Sequence, residues 1–583
     1  LNRAGANNMK TILARVLRLP LLFILVACSQ ESREPQATAE SQATLEPQAT
    51  SQPQATATVV VDQILINGKI LTVDDDNSIV EALGLFGKHI VATGTNAEIT
   101  VLATPATTIV DLKGRTVVPG LIDNHNHFVR ATEQWYRQVR WDEVTSRAVA
   151  LDMLIEKAQQ LPPGEWVVVL GGWIPEQFTD SQAPFERYEL DQLLPNTPVY
   201  IQQGYAQGVT NSLGLKLAGL VPGAVLAPGV EINDGELTGV LTGAEAFLSV
   251  ASKITPTPDP TWESSVQLTI DDYLAQGMTT VLDIGGNTVS PLHYTVLKRV
   301  ASNMGLKMRV FYTLNGTNGV GPSADEIIAA LENTAPRSGD ERFGQFTYGE
   351  MTYENIRDPA GGLWNVDPQA FADYRRILTT AAARGWQIHE HSTREDKMQY
   401  VLDEMEAVNA ETPIAPLRWT IAHAEQASDA TIARARELGV AFALHSSAGL
   451  GAVASAARGI DVSRTPPMQQ INEAGVLWGL GSDGTVVSGY QPFHNLGWAV
   501  TGVARNGQKL LQATVSREDA LRAHTLSNAK LLFMEASIGS LETGKLADLV
   551  VLDRDYLTVP DSEIKSIKPV MTMVDGVFVW QQR

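Results

Sequence analysis

Residues 116–127 read Thr116-Val117-Val118-Pro119-Gly120-Leu121-Ile122-Asp123-Asn124-His125-Asn126-His127, an apolar run that ends in two imidazoles two positions apart. Extended backbone sends alternate side chains to one face, so His125 and His127 aim at a common point and form a two-ligand grip for a metal ion. The ending recurs. Ile388-His389-Glu390-His391, Ile421-Ala422-His423 and Gly481-Ser482-Asp483 each close another apolar run with a His or an Asp. With only ten His in 583 residues, four run ends bringing four His and an Asp together is not expected by chance.

Working outward, strand-like runs at 116–122, 279–284, 309–314, 346–350, 386–391, 419–423, 440–445 and 476–481 alternate with helical stretches. Eight such repeats predict an α/β fold of the closed (β/α)8 TIM-barrel type, which gathers strand C-termini around one pocket. The barrel is expected over 117–535. The stretch between its first two strands is far longer than a barrel loop needs and carries β runs of its own, so an inserted subdomain is expected at about 131–265. A doubly wound open sheet is the competing topology, but no Gly-rich phosphate loop follows any strand.

Both flanks are β-rich. Ile64-Leu65-Ile66 before Asn67-Gly68 carries a hairpin signal, as does Val570–Val574 before Asp575-Gly576. One small β-sandwich built from 58–116 and 536–583 is the expectation.

Composition narrows the function. Apolar residues make up 44% and charged ones 19%, the profile of a globular core, and 44 Lys and Arg against 65 Asp and Glu give a net charge of −21. That balance argues against a nucleic-acid partner and against electrostatic docking on anionic lipid. The single Cys excludes a disulfide framework and Cys-rich metal sites. It falls at Leu25-Val26-Ala27-Cys28, after a basic segment from Met9 and a short apolar run, the layout of a secretory signal. Residues 1–8 read as leader upstream of the start. The four residues resemble the lipobox of bacterial lipoproteins, which implies lipidation at Cys28; the plainer reading is a buried structural Cys. Residues 29–57, rich in Ser, Gln, Ala, Thr, Pro and Glu with Pro-Gln-Ala-Thr three times, read as a disordered tether reaching at most about 100 Å. Ser29 after the Cys implies the outer membrane in a Gram-negative cell envelope, with the anchor as the only membrane contact.

Val118-Pro119-Gly120-Leu121-Ile122-Asp123 with His125 and His127 resembles the opening metal motif of the amidohydrolase superfamily. Residues 538–550, Ile538-Gly539-Ser540-Leu541-Glu542-Thr543-Gly544-Lys545-Leu546-Ala547-Asp548-Leu549-Val550, are similar to its returning sandwich signature. Val209-Thr210-Asn211-Ser212 and the long insertion resemble amidohydrolase family 3, the branch with N-substituted formamide deformylases. The resemblance implies a distorted barrel and a hydrolase of non-peptide C–N bonds, acting on a small molecule through one or two divalent ions, zinc by expectation.

Carried over by residue, it implies His125 and His127 on the first ion, His391 and His423 on the second, and Asp483 as metal contact and general base. Many members bridge the ions with a carboxylated lysine after strand four. No Lys stands between Lys307 and Lys397 here, and Glu350 is the candidate bridge, with a solvated surface Glu as the alternative. Ser392-Thr393-Arg394-Glu395 departs from the usual Ala-Ile-Gly-Asp, and Tyr205-Ala206-Gln207-Gly208 stands where many members carry a His.

Five further residues are weighed against packing roles. His445 and Trp173 are expected to touch substrate, with Glu176 beside Trp173; His389 and His524 are expected in the core. Two alternative functions stand beside the hydrolase. One is a single-metal deaminase, whose usual His-x-x-Glu is matched poorly by Glu395. The other is a non-catalytic ligand-binding surface lipoprotein.

Overall fold

A computed structural model describes residues 59–582, apart from 222, 255, 287–288, 290, 315–321, 359–363, 446, 458 and 460. The expected signal segment, Cys28 and the tether therefore lie outside the described residues. Among the described residues no helix is long and apolar enough to cross a membrane.

Eight parallel strands form the centre: β1 Leu121–Asn126, β2 Met278–Asp283, β3 Arg309–Leu314, β4 Phe343–Glu350, β5 Gln387–Ser392, β6 Thr420–His423, β7 Ala441–His445 and β8 Trp478–Gly481. They neighbour one another in chain order, and a two-residue strand, Ser338–Gly339, adds to β4. Helices cover the outside, packing around Trp386, Trp419, Tyr374 and Phe442.

The barrel closes at the β8–β1 seam by side chains more than by a ladder. One parallel bridge joins Asn126 to Gly484, while the Asp483 N–H donates to the His125 carbonyl at 2.8 Å and the His127 N–H to the Gly484 carbonyl at 2.8 Å. Asn528 spans the seam, its Nδ2 donating to the carbonyls of Ile122 (2.5 Å) and Leu480 (2.8 Å). Gly479 and Gly481 make this approach possible: a Cβ at 479 would stand 1.9 Å from Asn528 Oδ1, and one at 481 would stand 2.5 Å from Asn124 Oδ1. Asp123 completes the seam, accepting from the Ser482 N–H (3.0 Å) and hydroxyl (2.5 Å), with burial pushing its carboxyl up to about 6.

The two chain ends meet in a sandwich. Leu549–Leu552 from the C-terminal end pairs antiparallel with Thr116–Pro119, within a six-stranded sheet; Gln63–Ile66, Ala82–Phe86, His89–Gly94 and Thr108–Asp111 make the facing four-stranded sheet. Leu65, Leu83, Leu85, Val117, Leu549 and Met573 fill the space between them.

Two sequence expectations are corrected here. The run 116–122 is not one strand: it breaks at Gly120, whose N–H donates to the Asp548 carbonyl at 2.9 Å, so its first half serves the sandwich and its second half starts the barrel. Asn67-Gly68 is not a hairpin turn either. Gln63–Ile66 and Lys69–Leu71 enter different sheets, and the Asn-Gly pair turns the corner between them. Asp575-Gly576 does make a hairpin, with Val574 opposite Val577.

The insertion holds a five-stranded sheet of its own, including Val167–Leu170, Val199–Gln203 and Gln207–Thr210. Both faces are covered, as period-2 alternation requires. Val167, Val169, Val199 and Ile201 point into a cluster with Trp141, Trp173 and Phe185, while Val168 and Tyr200 point into another with Trp166 and Phe247. This subdomain touches the loop after β8: the Gly172 N–H donates to the Val486 carbonyl at 3.0 Å, and Arg140 Nη1 to the Thr485 carbonyl at 2.8 Å. Gly171 is obligatory there, because it has φ +83° and a Cβ would stand 1.8 Å from the Val486 carbonyl oxygen.

Candidate metal centre

Seven side chains converge at the C-terminal end of the barrel: His125 and His127 from β1 and its end, Glu350 from β4, His391 from β5, His423 from β6, His445 from β7, and Asp483 just past β8. Each stands at or next to a strand end, so the fold, and not proximity in sequence, assembles them.

The first group is His125, His127, Glu350 and Asp483. His125 Nε2 lies 3.8 Å from Glu350 Oε1 and 3.7 Å from Asp483 Oδ1; His127 Nε2 lies 3.9 Å from Glu350 Oε2 and 3.1 Å from Asp483 Oδ1. These separations suit a shared ion. Ligand atoms about 2.0–2.2 Å from a tetrahedral zinc stand roughly 3.4 Å from one another. His125 Nε2 is also buried with no hydrogen-bond partner, a costly state for a ring nitrogen unless a ligand completes it.

The far nitrogens of both rings are held. His127 Nδ1–H donates to the Gly285 carbonyl at 2.8 Å, which leaves Nε2 as the free donor atom. His125 Nδ1 meets His389 Nε2 at 3.0 Å. His389 is buried, as expected, but it also orients a ligand directly.

The second group is Glu350, His391 and His423. Glu350 Oε1 lies 2.6 Å from His391 Nδ1 and 2.9 Å from His423 Nε2, so these contacts are hydrogen bonds that would open to ligand spacing around an ion. One carboxylate thus faces both groups, through Oε1 and Oε2. Glu350 is buried, and the solvated-surface alternative does not hold for it. His391 Nε2 faces Asp358 Oδ1 at 3.4 Å, and Asp358 is held by the Thr393 N–H (2.9 Å) and hydroxyl (2.7 Å). His445 joins the centre through a 2.5 Å contact from its Nε2 to His423 Nδ1 and lies 3.8 Å from Asp483 Oδ2.

Burial pushes His389 and His423 down to about 4 and His445 to about 3, and holds His125 well below the usual range, so these rings are neutral near pH 7, the state in which imidazole binds metal. His391 differs: burial works to lower it, but the hydrogen bond and charge of Glu350 raise it. Burial alone would raise Glu350, but its hydrogen bonds to His391 and His423 hold it well below the ordinary carboxylate range. Five imidazole ligand candidates with two carboxylates form a donor set suited to zinc and its neighbours.

Other expected positions fall elsewhere. Trp173 packs with Trp141, Phe178 and Phe185 in the core of the insertion and donates its Nε1–H to the Gln202 carbonyl at 3.0 Å, so it is a packing residue and not a pocket wall. Glu176 lies in the short 3-10 turn Pro175–Gln177. His524 is buried beside Asn495. Glu395, the acid of the deaminase alternative, is taken up by Ser428 and Thr431 at the start of the helix Asp429–Leu438.

Sequence reasoning missed Asp358 and Glu425. Glu425 follows His423 by two residues, lies 3.8 Å from His423 Nδ1 through Oε1, keeps Oε2 buried without a partner, and is pushed up to about 8 by burial. The Ala-Glu after His423 was its only signal. Asp358 sits in a loop with none.

The profile of the amidohydrolase family matches residues 108–580. The chain is 28% identical over 555 residues to the N-substituted formamide deformylase of Arthrobacter pascens, covering 90% of this chain and 99% of that one. Among solved structures, an uncharacterised metal-dependent hydrolase of Pyrococcus horikoshii superposes with a TM-score of 0.62 at 19% identity, covering 86% of this chain and 99% of that one. A zinc-bound adenosine deaminase of Xanthomonas campestris superposes with a TM-score of 0.52 at 16% identity, covering 90% and 94%. At those identities the two structures speak for the fold.

Proposed function

The chain belongs to the amidohydrolase family and is a metal-dependent enzyme of that class, and we propose that it hydrolyses a non-peptide C–N bond of amide or formamide type. The observation that carries this reading is the pair of donor groups sharing Glu350, with a buried, unpartnered Nε2 on His125. The deformylase relative aligned along nearly its whole length points the same way for the bond type.

In this reading His125, His127, Glu350 and Asp483 would hold one divalent ion, and Glu350, His391 and His423 would hold a second, with zinc favoured by the donor chemistry. Ions held there would supply Lewis acidity, which lowers the pKa of water and polarises a carbonyl. Glu350 would stand in for the carboxylated lysine of many relatives, since it too presents two anionic oxygens, Oε1 near His125, His391 and His423 and Oε2 near His127. Asp483 takes the proton of the attacking water and returns it to the leaving nitrogen; it stands among His125, His127, His423 and His445, where both steps take place. His389, Gly285 and Asp358 fix the rings of His125, His127 and His391, so no reorientation is needed during turnover.

The full chain, supplied with zinc or manganese, is expected to release formate or another acid from N-substituted amides. Asp483→Asn should lower kcat by roughly 10²–10⁴-fold. Full rate in that variant would remove Asp483 as the base. The lipobox resemblance at Cys28 further supports a lipid-anchored enzyme of the bacterial envelope, tested by palmitate labelling that Cys28→Ser abolishes.

A further inference from the structure

Arg130 stands one helical turn past His127, on the helix Phe128–Gln134 that starts at that ligand. Its Nη1–H donates to the Tyr205 hydroxyl at 2.9 Å. Tyr205 comes from the insertion, in the turn between Val199–Gln203 and Gln207–Thr210, which carries it over the barrel end. Arg130 Nη2 is different: it is sealed from solvent and has no hydrogen-bond partner.

Arg137, Arg140, Arg147 and Arg187, on the same stretch of chain, all pair with carboxylates, whereas among the described residues no carboxylate forms an ion pair with Arg130. A buried guanidinium N–H left unmatched is costly, and the cost is relieved when a ligand brings the acceptor. Tyr205 adds a second donor: its oxygen accepts from Arg130 while its own proton stays available. Nη2–H and the tyrosine O–H are therefore two donors within one hydrogen-bonded pair, the number that the two oxygens of a carboxylate call for. Burial works against the charge of Arg130, yet the fields of Tyr205, Asp483 and Glu350 keep its pKa raised. Asp483 and Glu350 belong to the metal-binding set and so are not its partners.

We propose that Arg130 and Tyr205 form a carboxylate-binding subsite, which makes the substrate an amide that carries an anionic group, of the N-acyl amino acid class. The proposal rests on the hydrolase reading for its chemistry but not for its binding test.

The test compares N-formylphenylalanine with its neutral counterpart N-formylphenylalaninamide on the metal-loaded full chain. The wild type should favour the acid by at least 10-fold in kcat/KM, roughly the worth of a charged hydrogen-bonded contact. In Arg130→Gln that ratio should fall to near one, chiefly through KM, and Arg130→Lys should restore part of it by keeping the cation without the fork. No preference in the wild type, or a ratio unchanged in Arg130→Gln, would overturn the subsite. Calorimetry with N-acetylphenylalanine decides the matter without turnover: binding lost in Arg130→Gln supports the subsite, and equal or absent binding in both proteins overturns it. Hydrolysis of neither substrate would count against the proposed reaction alone.

Discussion

Glu350 Oε1 lies 2.6 Å from His391 Nδ1, while Oε2 of the same carboxylate lies 3.9 Å from His127 Nε2. A single side chain from β4 thus joins ligands from β1 and β5, strands on opposite flanks of it in the barrel order. Burial works against its charge, but its hydrogen bonds to His391 and His423 outweigh burial and keep it ionised.

The metal stoichiometry should therefore depend on this residue. Wild-type protein is expected to hold two equivalents of zinc by plasma mass spectrometry, and Glu350→Ala about one. Two equivalents retained in the variant would show that Glu350 is not a bridge.

His389 acts one layer behind, through its contact with His125 Nδ1. Loss of such a partner typically weakens metal binding about 10- to 100-fold. A chelator-competition titration of His389→Leu should show a drop of that size while the circular dichroism spectrum stays native. An unchanged affinity would reduce His389 to packing.

Asp548, inside the signature 538–550, is structural. Arg309, fully buried at the start of β3, donates to both of its oxygens at 2.9 and 3.0 Å, and the Asp575 N–H donates to Oδ1 at 2.8 Å. Arg309 also pairs with Asp575 and donates to the Glu341 carbonyl, so it is not left wholly unpaired, and Asp548→Ala should cost about 1–3 kcal/mol. Urea unfolding measures it, and a loss below about 1 kcal/mol, the range of exposed pairs, would contradict this account.

His524 lies outside the metal centre, and burial pushes it down to about 4. In the unfolded chain its pKa is about 6.5, so between these values the unfolded state binds the extra proton and stability falls as pH falls. From pH 7 to pH 5 the wild type should lose about 2 kcal/mol relative to His524→Leu. Parallel stability curves for the two proteins would mean that the ring is protonated inside the fold.

Much of this protein was fixed locally and could be read from the chain. Eight apolar runs alternating with helical stretches identified the eight barrel strands, and a parallel barrel presents its strand ends to one pocket whatever the loops do. The convergence of His and Asp side chains was legible for the same reason: a side chain at a strand end has only one place to point. Local rules failed where a residue's role depends on what faces it across the fold. Asn67-Gly68 has the chemistry of a hairpin, but its flanking strands find better partners in different sheets. Trp173 looked like a pocket wall until Trp141, Phe178 and Phe185 enclosed it. Asp358, Glu425 and the Arg130–Tyr205 pair carry no motif, since an isolated carboxylate or arginine gains its meaning from burial and from a partner distant in sequence. The sequence by itself determined the strand count, the His and Asp side chains that converge at the strand ends and the class of chemistry; tertiary packing alone decided which rings are oriented, which acids keep their protons and which donor is left without a partner.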